Sequence, residues 1–210
     1  MTDAPTTTPG GPTAMPDTTT TMPGARNAAP DAWYAATDEP TLVELDAVRG
    51  LSVSGLGDPE GPEYGAAIEA MYAVAAAMGT PGMPLEARWW VEDERPPLEV
   101  PRSEWRWHMF LKASGEITAE QVERARDAVR PKLPAAGRVQ LVEFAEGPSV
   151  QVLHHGAYAD EPATLGRMYA FMGERNIVPR GLHHEIYLSL GELTILRQPV
   201  LRVDPGANEA

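Results

Sequence analysis

An α+β domain made of two related halves is what this sequence predicts, and two observations carry that reading. Strand-type and helix-type periodicities alternate over residues 41–203. An offset of 97 residues then superposes Gly50 on Gly147, Ser52 on Ser149, Val53 on Val150 and Leu56 on Leu153. The same offset superposes Ala66 on Ala163, Met71 on Met168, Tyr72 on Tyr169 and Ala73 on Ala170. Such a repeat means that one supersecondary unit, strand–helix–strand–strand, occurs twice. The halves, about 41–131 and 139–203, would form a pseudo-symmetric domain with a ligand cleft along the pseudo-twofold.

The elements follow in order. Residues 1–24 hold nine Thr, five Pro and three Gly, too little apolar surface to offset the entropy of ordering. Residues 1–40 are therefore expected to be a disordered Thr/Pro-rich arm and tether, gaining order near Trp33 and Tyr34. Leu42–Val48 and Leu51–Leu56 read as strands, with Gly50 a kink or bulge between them. Tyr64, Ile68, Met71, Tyr72 and Ala75 lie on one helical face, and Thr80-Pro81-Gly82 ends that helix. Ala87–Glu92 and Arg106–Ala113 are strands joined by a proline-rich loop. Thr118 with Gln121 forms a capping box, opening a helix marked by Val122, Ala125 and Val129 that stops near Pro131. Strands over Val139–Ala145 and Ser149–His154 follow. A third helix carries Leu165, Met168, Tyr169 and Met172, with Asp160 expected as its N-cap. Leu182–Leu190 and Thr194–Val203 close the domain as strands, and 204–210 is a short tail.

Composition narrows the function classes. Lys plus Arg number 17 against 30 Asp plus Glu, a net charge of −13. Nucleic acid is not an expected partner, because phosphate affinity needs a surplus of cations. Cysteine is absent, which removes disulfides, thiolate catalysis and zinc–thiolate sites. No apolar run approaches the length of a membrane span, and no secretory signal is visible, so no membrane association and a cytoplasmic location are expected.

His183-His184-Glu185-Ile186-Tyr187-Leu188-Ser189-Leu190 is the most informative stretch. Alternation predicts that Ile186, Leu188 and Leu190 pack against the helices while Glu185, Tyr187 and Ser189 point to the other side. That other side is either a solvated sheet face or the lining of a cleft. Trp89, Trp90, Trp105 and Trp107, four of the five tryptophans, argue for the cleft, because each buried indole N–H also needs a partner. A carboxylate among aromatic faces suits delocalised organic cations. The pairs His154/His155 and His183/His184 raise a metal site with Glu185 as carboxylate ligand. Neighbours on a strand point oppositely and no third ligand is evident, so no metal and no cofactor are expected. No GxSxG elbow, Walker loop or GxGxxG occurs. Tyr158, on a strand-to-helix loop, either serves the site or caps the core with its hydroxyl.

Five ordered motifs together resemble the GyrI-like small-molecule-binding family. They are Met83-Pro84-Leu85-Glu86-Ala87-Arg88-Trp89-Trp90, then Trp105-Arg106-Trp107, then Val150 to Tyr158, then His183 to Ser189, then Thr194 to Val200. The resemblance covers nearly all of 41–203 and implies tandem SHS2 modules sharing an antiparallel sheet. It implies a binder of bulky aromatic or lipophilic cationic small molecules, active in drug resistance or sensing, with Glu185 as the acidic residue. An alternative it implies is a hydrolase that opens the cyclopropane ring of DNA-alkylating antibiotics, with Glu185 activating water and Tyr158 or a tryptophan assisting. A gyrase-modulating interaction protein is a third reading. Ligand contacts are expected from Trp89, Trp90, Trp105, Trp107, Tyr72, His155, Tyr158, Met168, Glu185 and Tyr187. Two departures stand out: a shortened loop after Ser189, and Arg88 in place of an apolar residue in the tryptophan motif.

Overall fold

The computed structural model describes residues 31–80, 83–95 and 99–202. The arm expected before residue 31, the tail expected after residue 203, and Pro81-Gly82 lie outside those residues.

Nine antiparallel strands form the sheet. They are β1 (Thr41–Leu45), β2 (Val48–Leu56), β3 (Leu85–Trp90), β4 (Arg106–Lys112), β5 (Gln140–Phe144), β6 (Gly147–His155), β7 (Ile177–Pro179), β8 (His183–Ser189) and β9 (Leu193–Arg202). Among the described residues three α-helices accompany them: α1 (Pro62–Ala77), α2 (Ala119–Val129) and α3 (Glu161–Gly173). The strand order is β1-β6-β9-β8-β3-β4-β2-β5, with β7 added on β9. This order reads the same from either end when β1 and β5, β2 and β6, β3 and β8, and β4 and β9 are exchanged. The internal repeat is therefore visible as topology, with the β3–β8 pair at its centre. Each half also lends its first strand to the other: β1 pairs β6 and β5 pairs β2.

Sequence distance forces the sheet to curl. Leu45 ends one edge strand, and Val48 begins the strand next to the opposite edge. Three residues span at most about 11 Å, so the two ends of the sheet must approach each other. The curl gives the sheet an inner and an outer face. On the outer face α1 and α2 cover Leu51, Val53, Ala87, Trp107, Met109 and Tyr187, and α3 covers Val150, Val152 and Leu196. On the inner face Trp33, Phe110, Ile186 and Ile195 pack together.

The compact unit begins at Ala32, ahead of the boundary expected at residue 41. A short 3-10 turn, Ala32–Tyr34, buries Trp33. Gln151 Nε2 donates to the carbonyl of Ala35 at 2.6 Å, and the Leu153 amide donates to Thr37 at 2.8 Å. The large indole supplies what the rest of this polar segment lacks, namely apolar area to bury.

Other expectations change in detail. Gly50 lies inside β2 instead of breaking it; a Cβ there would stand 2.1 Å from the Leu111 carbonyl oxygen. Thr118 and Gln121 form the full capping box. Asp160 is the N-cap of α3 as expected, though its side chain makes no cap bond. A 3-10 turn, Tyr158–Asp160, already leads the chain into that helix. β7 is a short strand that periodicity did not reveal. The largest correction concerns β8. Ile186 packs inside the curl with Trp33, while Tyr187 packs beneath α1, so Glu185 and Tyr187 face the helices and Ile186 and Leu188 face away. Alternation separates the two faces of a strand but does not say which one helices cover, and here both faces are buried.

Candidate aromatic and carboxylate site

Glu185 sits at the centre of the sheet, directly across the ladder from Ala87 on β3 and Leu196 on β9. The small Ala87 side chain leaves room beside the carboxylate. Two residues on, Tyr187 points the same way and donates its hydroxyl proton to Glu185 Oε2 at 2.7 Å. Trp89 Nε1 in turn donates to the Tyr187 oxygen at 3.3 Å. His183 Nε2 lies 3.5 Å from Glu185 Oε1. A chain of polar contacts thus runs from Trp89 through Tyr187 to the carboxylate.

Aromatic rings enclose this chain. Tyr64 of α1 stacks on Trp89 with centroids 5.7 Å apart and meets Trp107 edge-on at 5.3 Å. Trp105 meets Trp89 edge-on at 5.9 Å. Tyr158, at the start of α3, meets Tyr187 edge-on at 5.7 Å. Edge-to-face and offset pairs are favourable because the positive ring edge meets the negative face. Gly55 makes the arrangement possible, since it lies opposite Trp107 in the β2–β4 register and a Cβ there would fall 2.0 Å from the indole. Tyr158 is the exposed member, 44% accessible, and its oxygen accepts a bond from the Gly191 amide at 3.1 Å.

Burial sets the electrostatics. Desolvation, with the Glu185 carboxylate as a further contributor, pushes the Tyr64 and Tyr187 hydroxyls up, so both stay protonated. Burial likewise raises Tyr158. Glu161, in the first turn of α3, is only 8% exposed and its Oε1 has no partner. Burial first, and then the nearby Glu185 charge, push its carboxyl up to about 8. Trp107 Nε1, Thr194 Oγ1 and both His183 ring nitrogens are also buried without a hydrogen-bond partner.

The structure gathers Trp89, Trp105, Trp107, Tyr158, Glu185 and Tyr187 from the expected set. It places the others elsewhere. Trp90 alternates to the opposite face, across from Arg106. Tyr72 donates to the Met83 carbonyl at 3.1 Å and so anchors the approach to β3. Met168 is fully buried against Val150 and Val152 beneath α3. His155 is exposed and paired with Asp38 at 2.7 Å, because its neighbour His154 takes the buried face and bonds Thr164 at 2.9 Å.

Two residues of the cluster escaped sequence reasoning. In the sequence Tyr64 is only one apolar point on a helical face. Glu161 carried no signal at all, since acids are common in first helical turns, where the dipole favours them. Among the described residues, no three His, Asp or Glu side chains converge as a metal would require. A separate depression of about 210 Å³, lined by Leu56, Glu92, Asp93, Val100, Glu104 and Arg106, contains none of the cluster residues. No described helix is long and apolar enough to cross a membrane.

Comparison with known proteins places this geometry in context. Residues 38–194 match the GyrI-like small molecule binding domain. An uncharacterized conserved protein from Listeria innocua is 32% identical with a TM-score of 0.73, over 80% of this chain and 95% of its own. A hydrolase encoded by lin2189 from the same organism is 31% identical with a TM-score of 0.71, at the same coverage. The EcmrR C-terminal domain, 12% identical with a TM-score of 0.52 over 79% of this chain and 98% of its own, shares the fold alone. No curated protein matches the chain.

Proposed function

This chain belongs to the GyrI-like small-molecule-binding domain family, and from that premise we propose that it binds bulky aromatic, lipophilic cations in the cluster around Glu185. One observation carries the reading: a carboxylate at the centre of the sheet lies among Trp89, Tyr187, Tyr158 and their stacking partners, and no Lys or Arg of the described residues pairs with it. A delocalised cation would satisfy the carboxylate by charge and the rings by cation–π attraction. Entry requires Tyr158 to swing off the edge of Tyr187, and its exposed position makes it the natural gate. The test is binding of rhodamine 6G followed by fluorescence polarisation. Glu185→Gln should weaken it by about 1–3 kcal/mol, the worth of a desolvated charge pair. Equal affinity in the variant would remove the electrostatic basis of the reading.

A hydrolase is the second reading, favoured by two Listeria innocua relatives described as hydrolases and by the Tyr187–Glu185 bond. Glu185 would take a proton from a water that attacks a strained cyclopropane carbon. The ring carbon–carbon bond would break, and its electron pair would pass to a conjugated carbonyl oxygen. General base catalysis supplies about 10²–10⁴-fold. Single-turnover opening of a dienone-fused cyclopropane should slow by that order in Glu185→Gln. Identical rates for wild type, variant and buffer would leave binding as the sole activity.

A further inference from the structure

We propose that Glu161 holds a proton in this cluster and donates it as a hydrogen bond to an acceptor oxygen of the ligand, so that the site selects planar aromatics bearing a carbonyl. This deepens the small-molecule reading and rests on it. Glu161 is the second carboxyl of the cluster, and its Oε1 is buried without any partner in the protein. A buried polar atom left unpaired costs about 1–3 kcal/mol, so a ligand that pairs it recovers that free energy.

The surroundings decide which form Glu161 takes. Glu185 of β8 faces it as a like charge. Tyr158 from the preceding turn is coupled to both carboxyls, and Tyr187 and Tyr64 complete the aromatic side as neutral hydroxyls held protonated. His183 lies against Glu185 on the far side. His154 of β6 is occupied with Thr164 and the Ala157 carbonyl. No Lys or Arg bonds to Glu161 among the described residues. Two carboxyls in one desolvated cluster without a cation share their charge unequally: one ionises and the other stays neutral. Glu185 already accepts from a hydroxyl donor at 2.7 Å. Glu161, with no donor on Oε1, keeps its proton near neutrality, in accord with a carboxyl raised to about 8. The site therefore offers one acceptor of positive charge and one donor, and a dication has no second anion to meet.

A matched pair of fluorescent probes tests this: 10-methylacridone, neutral with a carbonyl, and 10-methylacridinium, cationic without one. As pH rises from about 6.5 to 9, Glu161 ionises. Acridone affinity should then fall by roughly tenfold as the donor is lost, and acridinium affinity should rise as a second anion appears. Both slopes are read on the wild-type protein, so the result does not depend on a variant folding. In Glu161→Gln, which cannot ionise, both slopes should flatten. Slopes of the same sign for the two probes, or slopes that persist in the variant, overturn the donor role while leaving cation binding intact. Failure of acridone alone to bind at any pH overturns the donor role and leaves cation binding intact, whereas failure of acridinium to bind overturns the binding reading itself.

Discussion

The central strands carry buried carboxylates on both faces, and the two faces handle them in opposite ways. On the inner face Glu86, fully buried, accepts from Trp33 Nε1 and the Tyr34 hydroxyl, each at 3.0 Å. His184, also fully buried, lies between Glu86 at 3.1 Å and Glu146 at 2.8 Å. Arg197 reaches Glu146 at 3.2 Å and the Trp33 carbonyl at 2.6 Å. On the outer face Glu185 and Glu161 pair with no Lys or Arg among the described residues; hydroxyls, an indole and a largely buried histidine lie around Glu185. The inner carboxylates are consumed by the protein's own cations and hold the fold's two halves and its Trp33 plug together. Of the outer ones, Glu185 has a hydroxyl and a histidine for neighbours, and Glu161 leaves its buried Oε1 unpaired.

Breaking the inner network should have the larger effect. His184→Leu removes the group between Glu86 and Glu146 and leaves two buried carboxylates facing each other. Loss of one partner from a buried ion cluster costs about 3–5 kcal/mol, and urea denaturation should show a destabilisation of that size. A variant as stable as wild type would mean that the network contributes specificity and no stability.

Crowding the outer cluster tests the aromatic packing more gently. Gly55→Ala places a methyl group where the Trp107 ring now lies, and overpacking of this kind costs about 1–3 kcal/mol. The shifted indole should also lower rhodamine affinity, which His184→Leu, acting on the other face, should leave unaltered per folded molecule. Equal affinity in Gly55→Ala would separate Trp107 from the site.

How far these two faces were legible in the sequence follows from the same contrast. The repeat at Gly50/Gly147 and Met71/Met168 disclosed the doubled architecture, because helix and strand periods survive in any context. The Trp-rich strands and Glu185 pointed to the aromatic and carboxylate cluster through residue type alone. Which face of β8 the helices cover was not legible, since Ile186 and Tyr187 are both buried and alternation treats buried faces alike. Glu86, Glu146, His184 and Arg197 are far apart in sequence and meet only through pairings among β3, β6, β8 and β9. Glu161 stayed hidden for another reason: its environment is set by burial and by the charge of Glu185, twenty-four positions away.

Proton linkage distinguishes the faces at smaller amplitude. Coupling to Glu146 and Glu86 outweighs the opposing desolvation and raises His184 above the usual histidine range. Its stabilisation is complete below that range and fades as pH rises through the raised value. Glu146 is lowered by His184 and Arg197 against desolvation, so its contribution is present above the usual carboxylate range and fades as pH falls through the lowered value. Glu161 behaves in the reverse sense to Glu146. Raised to about 8, it binds a proton in the folded state that the unfolded chain has already released, so stability declines as pH rises from the usual carboxylate range to about 8. Comparing Glu161→Gln with wild type cancels the His184 contribution. Relative to wild type, the variant should gain about 2–3 kcal/mol between pH 6 and 9, measured by urea denaturation. A constant difference across that range would mean that Glu161 ionises as freely folded as unfolded.

The smallest expected effect concerns the N-terminal residues, and it marks where the inner face begins. Trp33 and Tyr34 supply the donors to Glu86, and Trp33 also supplies the carbonyl that Arg197 binds. A deletion of residues 1–24 leaves all of these in place. What it removes is a segment with nine Thr, five Pro and three Gly, a composition with little apolar surface to bury against either face. The melting temperature should therefore stay within about 1 °C of wild type, against the roughly 4–8 °C that 1 kcal/mol is worth in a domain of 60–100 residues and the smaller shift in a longer one. Rhodamine affinity should be unchanged as well. A drop of several degrees with unaltered affinity would show that the inner face draws support from before Ala32. Loss of affinity at an unaltered melting temperature would instead assign those residues to the outer cluster and its ligand.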